Sequence, residues 1–398
     1  MTDSTCTTCQ EGETALMPPL HLMIIAGEAS GDLHGAHLIR ALKARLPDVK
    51  ISGVGGWYLQ TEGMEVVSSS DELAVVGVSE VVKKLLTVFK VYRHLSRVLR
   101  DQRPDLLILV DYPEFNLRLA RVAHRLGIPI VYYISPQVWA WRSYRAKLIQ
   151  RLVTKMIVIF PFEREFYQRY GVDVEWVGHP LTDAVSSSLT KDAFCTHYGL
   201  DPARPIIGLL PGSRESEAER LLPVMREAAQ QLHQRDPNVQ FVLPVASSLE
   251  HSKLFETTLP EFVHLTRHHT YETIHAADVI VTASGTVTVE AAILETPMII
   301  TYIVSPLTYW LGRKFIKVPF IGMVNLIAGK QIVPELIQEQ ATPERIVHEI
   351  LTLLDDPAAL DRLRQELRHV HEKLGEPGAP ARAAEVIVKL LSRTHPVS

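Results

Sequence analysis

The sequence predicts an α/β protein of two similar domains facing each other across a cleft. Three observations carry that prediction. Short apolar runs rich in β-branched residues alternate with helical patterns along the chain, as expected of strands covered on both faces of a parallel sheet. The alternation halts in a polar stretch, 178–201, holding the serine run Ser186, Ser187 and Ser188, and then restarts. The 398 residues also exceed one ordinary domain of roughly 150 residues.

The elements follow in order. In the first half the strands are LHLMIIA (20–26), LLILV (106–110), IPIVYYI (128–134) and MIVIF (156–160). A helix with Leu38, Leu42 and Leu46 on one face follows the first run, and another over 117–126 follows the second. In the second half they are PIIGLL (205–210), VQFVL (239–243), DVIVT (278–282) and MIITYI (298–303). We therefore expect a disordered tail over 1–19, an N-terminal domain over 20–184 and a C-terminal domain over 185–370. The helices of 371–398 are expected to pack back on the N-terminal domain or on a partner subunit.

Composition excludes several classes. The chain is 46% apolar and 22% charged, values of a globular protein rather than a disordered or fibrous one. Its 41 basic and 45 acidic residues leave a net charge of −4, with no global field for nucleic acid. Three cysteines, Cys6, Cys9 and Cys195, make no disulfide scaffold and fit a reducing compartment. Cys6 and Cys9 form a CxxC in the tail, without a second pair. The first twenty residues lack the basic start of a signal peptide, and no uncharged apolar run reaches the about 18 residues of a membrane span. A cytoplasmic protein that does not cross the membrane is the expectation. There is no DxD, HExxH or Cys/His cluster, so neither a metal nor a cofactor is expected. Neither a GxSxG elbow nor a Walker A loop occurs.

Four loops after strands carry chemistry, because ligands of such sheets bind at the carboxyl ends of the strands. In GEASGDLHGA (27–36), Ser30 or Asp32 is placed to cap the next helix, whose N-terminus can admit an anion. In VDYPEFN (110–116), Asp111 ends its strand. It reads either as a general base for a hydroxyl nucleophile or as a turn residue beside Pro113; Glu114 leans to the turn. In LPGSR (210–214), Gly212 permits close backbone approach, Ser213 offers a hydroxyl, and the Arg214 fork matches phosphate. In ASGTVTVE (283–290), Ser284, Gly285 and Thr286 precede an apolar helix whose free N–H groups suit a pyrophosphate. Glu290 sits among apolar neighbours, where an idle charge is costly. GVGGWY (53–58) is a partial dinucleotide loop without its third glycine. His179 in VGHPL reads as structural.

The segment 78–100 forms an amphipathic pattern. Val78, Val81, Val82, Leu85, Leu86, Val88, Phe89, Val91, Tyr92 and Leu95 make a broad apolar face. Lys83, Lys84, Lys90, Arg93, Arg97 and Arg100 oppose the single acid Glu80. A core helix shows such a stripe too, but the width and the cationic excess suit an anionic bilayer surface. A second basic stretch, 142–155, holds Arg145, Lys147 and Arg151 and no acid.

GEASGDLHGA, VDYPEFN, SPQVWAWR (135–142), FPFE (160–163), VGHPL (177–181), LPGSR and ASGTVTVE occur in this order. Together they resemble the lipid-A-disaccharide synthase family, over nearly the whole chain; VWAWR is the most specific of the matches. The resemblance implies a glycosyltransferase-B fold, two Rossmann-like domains facing across a cleft. It implies transfer of 2,3-diacylglucosamine from its UDP derivative to the 6-hydroxyl of 2,3-diacylglucosamine 1-phosphate. The products are a β(1→6) disaccharide 1-phosphate and UDP, a step of lipid A biosynthesis in Gram-negative bacteria. The family works without a metal, peripherally, at the cytoplasmic face of the inner membrane.

By motif, the resemblance makes Asp111 the general base. It puts Gly212, Ser213, Arg214, Ser284, Gly285, Thr286, Glu290 and Asn325 (in MVNLIAG) at the UDP. It assigns Glu28, Ser30, Gly31, Asn116, Ser135, Trp139, Arg142 and His179 to the acceptor or the cleft. Val78, Val82, Leu85, Leu86 and Phe89 would meet membrane lipid or acyl chains, and a homodimer is allowed. Two departures stand out: Glu114 replaces a usual Asp, and Met323–Val324 replaces a common Leu-Pro pair. The competing readings are another UDP-sugar enzyme of this fold, such as a UDP-N-acetylglucosamine epimerase or the lipid II glycosyltransferase, and a non-catalytic binding module. The first does not predict SPQVWAWR, and the second leaves the carboxylate after LLILV unexplained.

Overall fold

The computed structural model describes residues 19–70, 81–255, 259–315 and 318–394. The tail with Cys6 and Cys9 lies outside them. The chain builds two parallel sheets. The first contains β1 (His21–Ala26), β2 (Lys50–Gly55), β3 (Glu65–Ser69), β4 (Leu106–Val110), β5 (Ile130–Tyr133), β6 (Lys155–Val158) and β7 (Val174–Trp176). Its order is β3-β2-β1-β4-β5-β6-β7, and every pairing is parallel. The second contains β8 (Ile206–Leu210), β9 (Gln240–Val245), β10 (Val263–Arg267), β11 (Val279–Ala283), β12 (Met298–Tyr302) and β13 (Glu335–Ile337). Its order is β10-β9-β8-β11-β12-β13, again all parallel. Strand order reverses between β1 and β4 and between β8 and β11. Those two switch points are where a doubly wound sheet opens a crevice for ligand.

The central strands are the apolar runs, and they are buried throughout. Helices cover both faces of each sheet, giving each domain two apolar layers. Five strands lack a run of their own. β3 is half-exposed and ends in serines, β2 carries Gly53 and Gly55, β10 carries His264 and Arg267, and β7 and β13 are three residues long. A neighbouring strand supplies their pairing, so their composition need not announce them.

The helix Ala29–Lys43 buries Leu38, Ile39 and Leu42 against the first sheet. Its start corrects an expectation. Glu28 occupies the N-cap position and makes no side-chain cap bond, and neither Ser30 nor Asp32 caps it. Asp32 instead accepts from the N–H groups of Gly56 (2.6 Å), Tyr58 (3.0 Å) and Leu59 (3.3 Å). It thereby caps the short helix Trp57–Thr61 from outside. Within GVGGWY, the Gly56 and Tyr58 N–H groups are thus taken up by that carboxylate.

The last two helices tie the domains together. Pro357–Lys373 contributes Leu363, Leu367 and Val370 to an apolar cluster that also holds Ile159, Phe160, Leu181 and Val185. The chain then crosses over: His179 N–H donates to Leu374 O (2.8 Å), and Asp183 accepts from Gly378 N–H (2.6 Å). Ala379–Thr394 packs on Ala29–Lys43 and buries Ala383, Ala384, Ile387 and Leu391 in the N-terminal core. Among the described residues, no helix is long and apolar enough to cross a membrane.

Candidate functional site

A cavity of about 1280 Å³ opens between the carboxyl edges of the two sheets. From the N-terminal domain Ser30, Gly31, His34, Asp111, Ser135, Trp139, Trp141 and His179 line it. From the C-terminal domain come Gly212, Ser213, Arg214, Ser284, Gly285, Thr286 and Glu290.

Asp111 follows β4 at a sharp corner. Asp111 and Tyr112 both take left-handed backbone conformations, with φ of 44° and 45°, which cost a residue with a side chain energy. Neighbours hold the corner. The Asp111 carbonyl accepts from the Tyr132 hydroxyl (2.6 Å) and from Asn116 Nδ2 (2.7 Å), which also donates to Val110 O (3.1 Å). Two side chains thus fix the backbone so that the carboxyl points into the cavity. Gly27 lets the first loop approach this corner, since a Cβ there would stand 2.6 Å from the Tyr112 ring. That approach brings Glu28 near. Burial, and then the Glu28 charge, push the Asp111 pKa up to about 6. A carboxylate so tuned is basic enough to take a proton near neutrality.

Across the cavity, the loop after β8 turns at Gly212, whose φ is +115°. A Cβ there would lie 2.7 Å from a Glu217 carboxylate oxygen. Arg214 is exposed and pairs with Glu217 at 3.0 Å. After β11, Ser284 Oγ donates to Ile321 O (3.2 Å) and Gly285 and Thr286 turn into the helix Val287–Ile293. Glu290 is half-buried and bonded to the Tyr271 hydroxyl; burial raises its pKa to about 7, and burial with the Glu290 charge raises Tyr271 to about 12.

Other sequence-predicted residues stand elsewhere. Asn116 is wholly buried and serves the Asp111 corner rather than the cavity. Asn325 is also wholly buried and does not line the cavity. Its Oδ1 accepts from the Ile332 and Val333 N–H groups (2.8 and 3.1 Å), and its Nδ2 donates to Val333 O and Glu335 (3.0 and 2.8 Å). Glu335 in turn accepts from Ile321 and Gly322 N–H (2.9 and 3.0 Å). Asn325 therefore reaches the site only through the loop that receives Ser284. Met323 lines the cavity, and Val324 is buried behind it. Arg142 stacks on Trp141, 3.7 Å from the ring centroid, and joins Arg145 in holding Glu114. Glu114 is thus an ion-pair partner, and its pKa falls. His179 is buried against Phe160, and burial lowers its pKa to about 3, leaving it neutral.

Glu163 is a site residue that sequence reasoning passed over. It is 1% exposed, lines the cavity, and accepts from Ser135 Oγ (2.5 Å), Trp139 Nε1 (3.0 Å), Phe160 N–H (3.1 Å) and Ile159 N–H (3.3 Å). Burial pushes its pKa up to about 7 against the pull of these donors. It joins SPQVWAWR to FPFE, so the co-occurrence of the two motifs was its only trace in the sequence. Leu86 and Phe89 are 60% and 55% exposed on the helix Val81–Gln102, whose Val91, Leu95 and Leu99 are buried. Val78 and the side chains of Val82 and Leu85 lie outside the described residues. Among the described residues, no three His, Cys, Asp or Glu side chains gather as metal ligands.

Comparison with known proteins follows the same lines. The family model for lipid-A-disaccharide synthetase matches residues 22–387. A lipid-A-disaccharide synthase of Geobacter metallireducens is 46% identical over 378 residues, covering 94% of this chain and 98% of its own. That of Nitrosococcus oceani is 44% identical over 372 residues, covering 92% and 95%. Solved structures share the fold at low identity. The Neisseria meningitidis UDP-GlcNAc 2-epimerase bound to UDP-GlcNAc has a TM-score of 0.60 at 14% identity, covering 94% of this chain and 100% of its own. The calicheamicin glycosyltransferase CalG4 has 0.60 at 17%, covering 96% and 100%.

Proposed function

Because the chain belongs to the lipid-A-disaccharide synthase family, glycosyltransferases of lipid A biosynthesis, we propose how its residues divide that reaction. UDP-2,3-diacylglucosamine is the donor, held by the C-terminal domain. Glu290 accepts hydrogen bonds from the ribose hydroxyls. The turn at Ser284, Gly285 and Thr286 and the Gly212–Ser213 backbone receive the pyrophosphate. Arg214, drawn off Glu217, neutralises the charge that develops on the leaving UDP.

The acceptor, 2,3-diacylglucosamine 1-phosphate, lies against the N-terminal wall near Ser30, Gly31 and Trp139. Asp111 takes the proton of its 6-hydroxyl as that oxygen attacks the anomeric carbon. The bond from that carbon to the UDP oxygen breaks, configuration inverts to β, and Asp111 later releases its proton to water. Glu163, Asn116 and Asn325 are positioning residues: they hold the Trp139 loop, the Asp111 corner and the Ser284 loop. The exposed Leu86 and Phe89 rest on the cytoplasmic face of the inner membrane, from which both lipids are drawn.

The observation that carries this reading is a carboxyl with its pKa raised to about 6 at the end of β4, facing Arg214 and the Ser284 turn across one cavity. Purified protein, in detergent with both lipid substrates and EDTA, should form the disaccharide 1-phosphate. Folded, UDP-binding protein that forms none would overturn the assignment.

A further inference from the structure

One surface of the C-terminal domain has no role so far. The helix Pro306–Phe315 (PLTYWLGRKF) carries no acidic residue and two cations, Arg313 and Lys314. Its two faces differ. Thr308, Gly312 and Phe315, spaced four and three residues apart, line the cavity. Trp310, Arg313 and Lys314, at the same helical spacing, form another face. Trp310 is 61% exposed and Phe315 51%. Lys314 lies over the Trp310 ring at 5.8 Å and Arg313 over Tyr309 at 5.9 Å. An exposed tryptophan among cations suits the headgroup level of a bilayer, where the ring is half-immersed and the ammonium meets lipid phosphate. Beyond Phe315, residues Val318, Phe320, Ile321, Met323 and Leu326 continue as an apolar wall of the cavity.

We propose that Pro306–Phe315 is a second lipid-contact element, by which the C-terminal domain seats on an anionic bilayer, with the apolar wall beyond it receiving donor acyl chains as they leave the membrane. This rests on the membrane reading above and extends it to the opposite side of the cleft.

Co-sedimentation with vesicles tests it, using phosphatidylcholine with and without phosphatidylglycerol. Trp310→Ser should lower partitioning about tenfold, and neutralising Arg313 and Lys314 to Gln should lower it about fivefold per cation on anionic vesicles only. UDP affinity, read in parallel, should be unchanged and reports that each variant is folded. Brominated lipids should quench the wild type more than Trp310→Phe. Undiminished binding by these variants, while Leu86→Ser with Phe89→Ser loses it, overturns this inference and leaves the earlier reading standing. A wild type that binds no vesicle overturns both. A loss of self-association in Trp310→Ser, with vesicle binding intact, makes the helix a contact between copies and overturns the proposal.

Discussion

Asp111 has two properties that usually oppose each other. It is buried enough to bind its proton tightly, yet its backbone is held in a conformation that aims the carboxyl outward. Tyr132 and Asn116 reconcile them by bonding its carbonyl. If Asp111 is the base, kcat/KM should rise about tenfold per pH unit up to about pH 6 and then level off. Asp111→Ala should cut turnover by about 10²–10⁴-fold with UDP affinity nearly unchanged. Near-normal turnover would remove it from the role. Stability gives an independent check. The folded pKa lies above the ordinary value of 3.8, so the proton is held more tightly in the folded state. The stability from that proton is full below about pH 4 and lost as pH rises through about 6. Asp111→Asn should therefore melt higher than the parent at pH 8 and alike at pH 4. At pH 8, above its raised pKa of about 7, Glu290→Ala should weaken UDP binding about 10–100-fold, as loss of hydrogen bonds to a charged group does. Unchanged affinity by calorimetry would make Glu290 structural.

At the scale of elements, the cavity is lined at the corners where strands become helices. Gly212 is the sharpest case. Its φ of +115° lies where a residue with a side chain is strained, and a Cβ there would also press on the Glu217 side chain. Gly212→Ala should strain the LPGSR turn by roughly 1–3 kcal/mol. UDP titration should show weaker affinity with kcat at saturation little altered; equal affinity would mean that the loop does not touch the nucleotide. The corners were legible because an apolar run that ends in glycine, serine or a charged residue marks where a strand turns into a loop. The edge strands were not. β3 and β13 owe their conformation to pairing with one neighbouring strand, β2 and β12, and their residues, EVVSS and ELI, serve a turn equally well.

At the scale of the whole molecule, the C-terminal chain is a clamp. Ile387 lies in the N-terminal core although more than 200 positions separate it from Trp176, the end of that domain's sheet. Ile387→Ala should destabilise by about 2–5 kcal/mol, seen as an earlier unfolding transition in urea. A change under about 0.5 kcal/mol would show that the helix contributes little to that core. The crossover also bears on catalysis. Leu374 and Gly378 bond His179 and Asp183, so the relative seating of Asp111 and the Ser284 turn depends on the last helices.

The sequence by itself determined the class of the protein, its paired sheets, the loops that meet at the cleft and the family they resemble. Those features rest on local signals, apolar runs and the residues that end them, and local signals survive in one dimension. Only the tertiary structure decided what each polar side chain does. Asp32, read as a cap for its own helix, caps another; Asn325, read beside the nucleotide, is buried and bonds Glu335, which holds the Ile321–Gly322 loop; Glu163, unread, ties two motifs together. A buried polar group must bond whatever donors and acceptors the fold delivers, and those come from segments whose distance along the chain says nothing of their distance in space.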